Sequence, residues 1–181
     1  MDDIVAKLGK PLPGLRISTG TEHTFLCIRI KYLDNSTVSL NMRDYIQEVV
    51  DDFGEDVSQT VSTPAAHWLF AVSDARKLKG ELIDAFRSLV AKLLWVCQCR
   101  RTDCSPDVDF LCTRVKSPDV EDWKILKRLI SFLHQTIDDV RIIGAYDLLK
   151  MQNLIDSSHA VHEDMKVHTG GTILLVLVSL V

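Results

Sequence analysis

The stretch FRSLVAKLLWVCQCRRTDCSPDVDFLCTRVKSPDVEDWKILKRLISFLHQT (86–136) carries the strongest helical pattern in the chain. Its apolar residues recur every three or four positions, which is the spacing of one face of an α-helix. A first helix is predicted over 81–99, and its apolar face is formed by Leu82, Phe86, Leu89, Val90, Leu93, Val96 and Cys97. Two further helices follow, and we expect the three to pack together through their apolar faces.

The two later helices each begin near a Ser-Pro-Asp tripeptide, at 105–107 and at 117–119. This pattern predicts that Ser105 and Ser117 are the caps and that proline takes the first helical position, where its missing N–H costs little. The side chains predicted to point inward are Val108, Leu111, Cys112 and Val115 in one helix and Trp123, Leu126, Ile130, Leu133 and Ile137 in the other. We expect Trp123, Leu126 and Leu133 to share a core with Leu89 and Leu93.

Strand patterns flank the helices on both sides. HTFLCIRIKYL (23–33) predicts one strand, DNS (34–36) a turn and TVSL (37–40) the returning strand. Asn41 is predicted to cap a helix that ends at Phe53. After Asp139 the chain predicts short strands in VRIIGA, QNLID and GTILLV. The final ILLVLVSLV (173–181) is too short to cross a bilayer, which needs about 20 apolar residues, and suits a buried strand.

The composition is that of a globular protein, with 46% hydrophobic and 25% charged residues. A formal net charge of −4 argues mildly against a protein that binds nucleic acid through its overall charge. The five cysteines are an odd number, and no signal peptide pattern is present. Both features favour a reducing intracellular compartment, the cytoplasm or the nucleus, and no membrane partner is expected.

Two groups of residues resemble metal ligands. CQCRRTDC (97–104) has closely spaced cysteines, but Cys97 and Cys99 point about 200° apart on a helix and cannot share an ion. IDSSHAVHEDMKVHTGG (155–171) contains three acidic residues and three histidines. Its spacing fits neither a helical His-Glu-x-x-His motif nor a site completed by cysteine, so these residues are interpreted as polar residues of a turn between strands.

Basic residues lie opposite the apolar face of the last predicted helix. Lys124, Lys127 and Arg128 form this stripe, and Arg114 and Lys116 precede the helix. Such a stripe can follow the phosphates of a nucleic acid, because lysine and arginine displace condensed counterions. A solvated helix face has the same pattern, and the acidic residues Asp119, Glu121 and Asp122 weaken the phosphate interpretation. Both alternatives remain open from the residues alone.

The segment 86–136 resembles the reverse transcriptase of copia-type LTR retrotransposons. That family shows Tyr-Arg-x-x-x-Gly-x-Leu-x-Tyr-Leu, then Thr-Arg-Pro-Asp-Ile, and later His-Trp-x-x-x-Lys-Arg-x-Leu-Arg-Tyr-Leu-x-Gly-Thr. The corresponding residues here are Phe86-Arg87, Leu93-Leu94-Trp95, Arg101-Thr102-Asp103, Arg114, and Trp123 through Lys127-Arg128. HTFLCIRIKY (23–32) resembles the family's Phe-Leu-Gly-Ile segment with Cys27 in place of glycine, and TPAA (63–66) resembles its Thr-Pro segment.

The resemblance implies an α+β fold in three parts. Residues 1–62 would hold the β-hairpin that ends a polymerase palm, together with the following helix. Residues 63–150 would form a packed helical thumb and connection region. Residues 151–181 would be the first hairpin of a truncated RNase H-like sheet, in which 170–181 pairs with 151–156.

The resemblance also implies specific site residues. Asp156 matches the first metal-binding carboxylate of RNase H, and Lys166, Thr169 and Gly170 or Gly171 match the turn that follows it. The complete family enzyme uses Mg²⁺. This sequence has no Tyr-x-Asp-Asp turn and only one of the four RNase H carboxylates, so we expect the chain alone to be inactive and to bind no Mg²⁺.

The expected function is that of a reverse transcriptase fragment which binds an RNA/DNA template–primer duplex weakly. The residues expected to contact it are Arg101, Arg114, Lys116, Lys124, Lys127 and Arg128. The remainder of a retrotransposon polyprotein is the expected protein partner. Two alternatives stay open: a protein-interaction or nucleic-acid-binding module retained by the host, and a retroelement remnant without function.

Overall fold

The structure is a computed structural model, which describes residues 17–34, 37–71, 74–144, 151–158 and 168–174. Within these ranges the chain combines helices and antiparallel sheets, so the predicted α+β class is confirmed. Several predictions lie outside the described residues. They concern the acidic and histidine residues at 159–167 and the apolar tail after Leu174.

Four antiparallel strands form the larger sheet. They are β1 (Glu22–Phe25), β2 (Ile28–Tyr32), β3 (Thr37–Asn41) and β4 (Arg141–Gly144), in that order across the sheet. The last strand joins after all the helices, with Ile143 opposite Val38. The chain therefore leaves the sheet after β3, builds the helical part and returns to the neighbouring position.

The strand predicted over 23–33 is wrong in one respect, because the chain reverses direction inside it. Phe25 pairs with Ile28, and the two residues between them form a tight turn. Leu26 has φ 48° and Cys27 has φ 66°, so both occupy the left-handed region. Positive φ at both central residues is the requirement of a type I′ hairpin turn. The turn was not predicted because neither residue is a glycine or an asparagine.

Four α-helices follow the sheet: α1 (Arg43–Phe53), α2 (Glu81–Cys99), α3 (Ser105–Arg114) and α4 (Val120–Gln135). The limits predicted for α2 are confirmed. A short 3₁₀ turn, Thr102–Cys104, connects α2 to α3. Helix α1 ends at Gly54, which has φ 67° and donates its N–H to the carbonyl of Val50. Glycine adopts this left-handed conformation without a steric cost.

The predicted serine caps are wrong. Ser105 is already the first residue of α3, and α4 begins after Asp119. The Asp119 carboxylate accepts hydrogen bonds from the N–H groups of Glu121 and Asp122, and Asp122 accepts one from the N–H of Asp119. This reciprocal pair is a capping box made from two aspartates, and it satisfies the helix donors better than a hydroxyl placed two residues earlier. Ser117 instead donates its N–H to the Arg114 carbonyl.

The cap predicted for α1 is confirmed only in part. Met42, not Asn41, precedes the helix at the cap position. Asn41 ends β3, but its Oδ1 atom still accepts a hydrogen bond from the Arg43 N–H across 2.6 Å. One side chain therefore closes the strand and satisfies the first donor of the helix.

One hydrophobic cluster joins all four helices. Leu89, Leu93, Leu126 and Leu133 are each at most 2% exposed, which confirms the predicted shared core. Trp123 lies at its margin, where its ring centroid is 5.4 Å from that of Phe53.

Leu82 was predicted to be buried but is 48% exposed, because it lies in the first turn of α2, before Phe86 begins the buried face of that helix. Phe110, Ile125 and Leu129 are buried although they were not predicted. The Phe110 ring contacts Phe70 at 5.9 Å, so α3 is covered on a second side.

A second, two-stranded sheet consists of β5 (Gln152–Ser158) and β6 (His168–Leu174). Gln152 lies opposite Leu174 and Asp156 opposite Gly170, so the predicted hairpin is confirmed as far as Leu174. Leu154 and Ile155 are 48% and 76% exposed. The three-part division at 62 and 150 stays a prediction. The β3–β4 pairing and the helical core both include residues from the first two of these parts.

Candidate nucleic-acid interface

Arg101 lies inside the protein, where its side chain is 5% exposed. It donates from Nη2 to Asp103 Oδ2 at 2.7 Å and from Nη1 to the Thr136 hydroxyl at 2.7 Å. Its guanidinium carbon lies 5.1 Å from the centre of the Phe132 ring. These contacts connect the 3₁₀ turn before α3 to the end of α4. In this conformation Arg101 cannot reach a phosphate, and its predicted role in binding stays untested.

Arg114 also makes its ion pairs within the protein. Its side chain is 19% exposed, and it donates from Nε to Asp122 and from Nη2 to Asp119. Lys77 donates to the same Asp119 Oδ2 atom across 3.2 Å. The two carboxylates are almost completely buried, at 1% and 4% exposure. Arg114 therefore balances the charge of two buried acids, and a phosphate would have to compete with both.

The pKa values of Asp119 and Asp122 are shifted in opposite directions. Burial raises the pKa of Asp119, but hydrogen bonds from the Asp122 region and Lys77 outweigh it, so the pKa lies below its ordinary value. Burial is the dominant effect at Asp122 and raises the pKa of that carboxyl, although Arg114 opposes the change. Arg114 donates to both carboxylates, and Lys77 donates to Asp119 as well, so the charged form is stabilised more strongly at Asp119 than at Asp122.

The remaining four predicted residues lie nearer the surface. Lys116 is exposed and has no ion-pair partner among the described residues. The Lys124 side chain is 64% exposed and is paired with Glu121, one turn earlier on α4. Lys127 is 33% exposed and donates to Glu55 across 3.0 Å. Arg128 donates from Nη2 to the carbonyl and the hydroxyl of Thr63. The exposed face of α4 is therefore the cationic face that the sequence predicts.

A buried carboxylate lies behind this face. Asp107 is 1% exposed, and neither of its oxygens has a hydrogen-bond partner in the described part of the chain. Burial raises the pKa of Asp107 to about 6, although the charge of Arg128 opposes the change. The Nε atom of Arg128 is also buried without a partner. Asp107 was not predicted, because a first-turn aspartate normally faces solvent near the helix N–H groups.

Asp156 is an exposed residue of β5 and lies opposite Gly170 of β6. Magnesium sites of the implied kind need several carboxylates. Within the described ranges no three His, Cys, Asp or Glu residues are close enough together to hold a metal ion. The described residues therefore do not fit a Mg²⁺ site.

All five cysteines are free thiols, and Cys97 and Cys104 are buried. A hydrogen bond with Cys97, together with burial, raises the pKa of the Cys104 thiol. These two residues pack as small apolar side chains between α2 and α3.

Two of the known proteins to which this chain is similar are related to it only weakly. An uncharacterized mitochondrial protein of Arabidopsis thaliana is 28% identical over 141 residues, which cover 78% of this chain and 57% of that protein. A Saccharomyces cerevisiae protein, provisionally assigned by its name to the transposon Ty5-1, is 24% identical over 159 residues, which cover 87% of this chain and 51% of that protein. The chain spans about half the length of these relatives.

Two other comparisons found nothing. No protein-family model matches the chain, and no solved structure matches it. Among the helices that the structure describes, none is both long and apolar enough to span a membrane. The similarity to a transposon-encoded protein is therefore what supports an origin of this chain in a retrotransposon.

Proposed function

We propose that the chain is part of a copia-type reverse transcriptase and corresponds to the region that follows the polymerase active site. Three features support this proposal. The residues of 86–136 resemble that family, the yeast relative is named as a putative transposon protein, and the fold combines an antiparallel sheet with packed helices. The hairpin of β5 and β6 would then begin an RNase H-like domain.

The function proposed for this region is to hold a template–primer duplex. The observation that carries it is the cationic face of α4, where Lys124 and Lys127 are accessible beside Arg128. With Lys116, the set contains two exposed cations, Lys116 and Lys124, and two partly buried ones, Lys127 and Arg128. Arg101 and Arg114 would act indirectly. Arg101 donates a hydrogen bond to Thr136 at the end of α4, and Arg114 pairs with two aspartates at the start of that helix.

The binding would be weak and strongly dependent on salt. Glu121 and Glu55 already pair with Lys124 and Lys127, so a phosphate must displace a carboxylate at each position. Exposed ion pairs contribute at most about 1 kcal/mol, so this displacement is feasible. If three or four cations engage a DNA duplex, log affinity should fall against log salt with a slope of about −3.

The chain alone would not catalyse polymerisation or RNA cleavage. Its 181 residues contain no Tyr-x-Asp-Asp turn, and Asp156 is the one residue that the family pattern matches to an RNase H carboxylate. In this proposal other parts of a retrotransposon polyprotein supply the carboxylates and the Mg²⁺ chemistry, in the cytoplasm or the nucleus. Primer extension by the purified chain above a heat-inactivated control would contradict this.

The test is duplex binding by fluorescence anisotropy over a series of salt concentrations. Lys116→Glu/Lys124→Glu reverses two accessible charges of the proposed face and should reduce affinity and the salt slope. Arg29→Glu/Lys31→Glu changes the net charge equally on β2, where both side chains are more than half exposed. We exclude Arg128→Glu, because it would place a second carboxylate beside buried Asp107. Equal losses from both double variants would reduce the effect to overall charge and contradict the proposal.

A host-retained interaction module is the second candidate, and the helical core favours it. One cluster of buried side chains extends from Met42 to Ile137. Such a core is large enough to support independent folding. A stable monomer that fails to bind duplex would favour this module, whereas a chain that never folds would be the non-functional remnant.

A further inference from the structure

A cleft opens beside the cationic face of α4, between that helix and the segment that precedes α2. Its volume is about 340 Å³, and its lining includes Ala66, Trp68, Lys124, Ile125, Lys127 and Arg128. Small-molecule sites range from roughly 300 to 1,000 Å³, so the cleft is near the lower limit. It has room for a compact planar group but not for a duplex.

Trp68 gives this cleft an accessible aromatic surface. It is 50% exposed, although the next residue, Leu69, is 3% exposed. The turn around it is held by two backbone hydrogen bonds, from Leu69 to Ala66 and from Ala71 to Trp68. His67 contacts the indole edge-on at 4.6 Å. The indole is therefore held in place beside buried Ile125 and remains open to a ligand.

The polar part of the cleft suits a single anion. Lys124 is 64% exposed, and Arg128 is held in place by its hydrogen bonds to Thr63. Glu121 also lines the cleft and pairs with Lys124. Glu55 lies beside it and pairs with Lys127. Three cations therefore face these two carboxylates, and buried Asp107 lies beside Arg128. A phosphate would bind by displacing Glu121 from Lys124, not through an excess of positive charge.

We propose that this cleft binds one unpaired nucleotide of a single strand, with its base stacked on Trp68 and its phosphate on Lys124 and Arg128. The proposal rests on the proposed function and deepens it, because it gives the single-stranded part of a template a binding site beside the duplex. A nucleotide carries a planar base and a phosphate joined through one sugar, and the cleft is lined by an aromatic ring and by cationic side chains. Stacking on an aromatic side chain is the common sequence-independent way to bind single strands.

The experiment compares two single strands with the full chain by fluorescence anisotropy. One is an oligothymidylate of about ten nucleotides, and the other is an abasic strand of equal length, which keeps the phosphates and removes the bases. We expect the oligothymidylate to bind on the order of ten times more tightly. Trp68→Ala should remove that difference, and Trp68→Phe should retain most of it. The matched control is Phe25→Ala, which removes a 64% exposed aromatic ring from β1 and should change nothing.

The outcomes separate this inference from the proposed function. Equal affinity for the two strands, or no effect of Trp68→Ala, would overturn the stacking site, while salt-dependent duplex binding would still support the function. Absence of binding to single strand and to duplex would overturn the stacking site and the proposed function together. Competition by an acidic, tyrosine-containing peptide at concentrations equal to the strand would assign the cleft to another ligand and overturn the proposal. Glu121→Gln should tighten strand binding, because it releases Lys124.

Discussion

The Nε atom of Arg114 lies 3.0 Å from Oδ1 of Asp122, and this contact fastens the last turn of α3 to the first turn of α4. The same guanidinium reaches Asp119 through Nη2 at 3.2 Å. Arg114 therefore holds two acids that are also the capping box of α4. The proposed phosphate-binding face belongs to that helix, so its position depends on a buried charge network.

Removal of the guanidinium should be costly. Arg114→Ala leaves two buried carboxylates with less compensation, and breaking such a pair typically costs about 3–5 kcal/mol. Arg114→Lys should recover only part of this free energy, because one ammonium cannot reproduce the forked geometry. Urea denaturation measures the difference. Arg29→Ala is the control, since its pair with Asp44 is exposed at 59% and 67%. Similar losses from both alanine variants would show that the network contributes no special stability.

Asp107 should destabilise the protein at neutral pH. The pKa of this buried carboxyl is about 6 in the folded state, above its ordinary value of 3.8. The folded state therefore binds more protons between these values, and stability falls as the pH rises from about 4 to 6. Above pH 6 the carboxyl is ionised, and the loss in the free energy of unfolding reaches its full value of up to about 3 kcal/mol.

Asp107→Asn removes this ionisation and should raise the free energy of unfolding at pH 7 by about 1–3 kcal/mol. It should also flatten the pH dependence between pH 4 and 6. Asp109→Asn is the control on the same helix, because Asp109 is exposed. Thermal unfolding at several pH values measures both effects. Greater stability of the natural chain at pH 7 would mean that Asp107 makes a favourable contact in its ionised form.

Cys27 should be replaceable by glycine with a gain in stability. Its φ of 66° lies in the left-handed region, which costs a residue with a side chain roughly 1–2 kcal/mol. Glycine avoids this cost but loses more backbone entropy on folding, so we expect a net gain of about 1 kcal/mol. Cys27→Ala removes the thiol but keeps the strain, and serves as the control. A melting temperature for Cys27→Gly at or below that of Cys27→Ala would contradict the strained turn.

The helical core predicts a contrast between two leucines. Leu126 is fully buried, and Leu126→Ala should cost about 2–5 kcal/mol. Leu82 is 48% exposed, and Leu82→Ala should change stability by less than about 1 kcal/mol. Because a domain of this kind has roughly 5–15 kcal/mol in total, the first variant should unfold at a clearly lower temperature. Equal melting temperatures would show that the α4 face is misassigned.

The C-terminal hairpin should reduce solubility. Leu154 and Ile155 are exposed on β5, and the sequence after Leu174 has no charged residue or proline to oppose aggregation. Two-stranded hairpins are marginal in water, and exposed apolar strands promote association. A chain that ends at Lys150 should therefore scatter less light than the full chain at equal concentration. Precipitation of the shorter chain alone would mean that the hairpin protects the helical part.

The helices could be predicted from the sequence because their apolar faces repeat over many residues. The 81–99 limits and the burial of Leu89, Leu93 and Leu126 follow from that local periodicity. The cationic face of α4 follows from the same pattern, since it is the opposite side of the helix. The strands β5 and β6 were predicted from their residue pattern, whereas their pairing was predicted from a resemblance to a known family.

Only the tertiary structure decided which charges are accessible. From the sequence, Arg101 and Lys124 belong to one set of predicted contact residues. In the structure Arg101 is enclosed by its hydrogen bonds to Thr136 and Asp103, whereas Lys124 remains exposed. The tertiary structure also paired β4 with β3 across about a hundred residues and placed Trp68 at the cleft. Local periodicity determines which face of a helix is apolar, because a helix repeats over a few residues. The partner of each side chain depends on elements far away in the chain, so it is fixed only when they pack together.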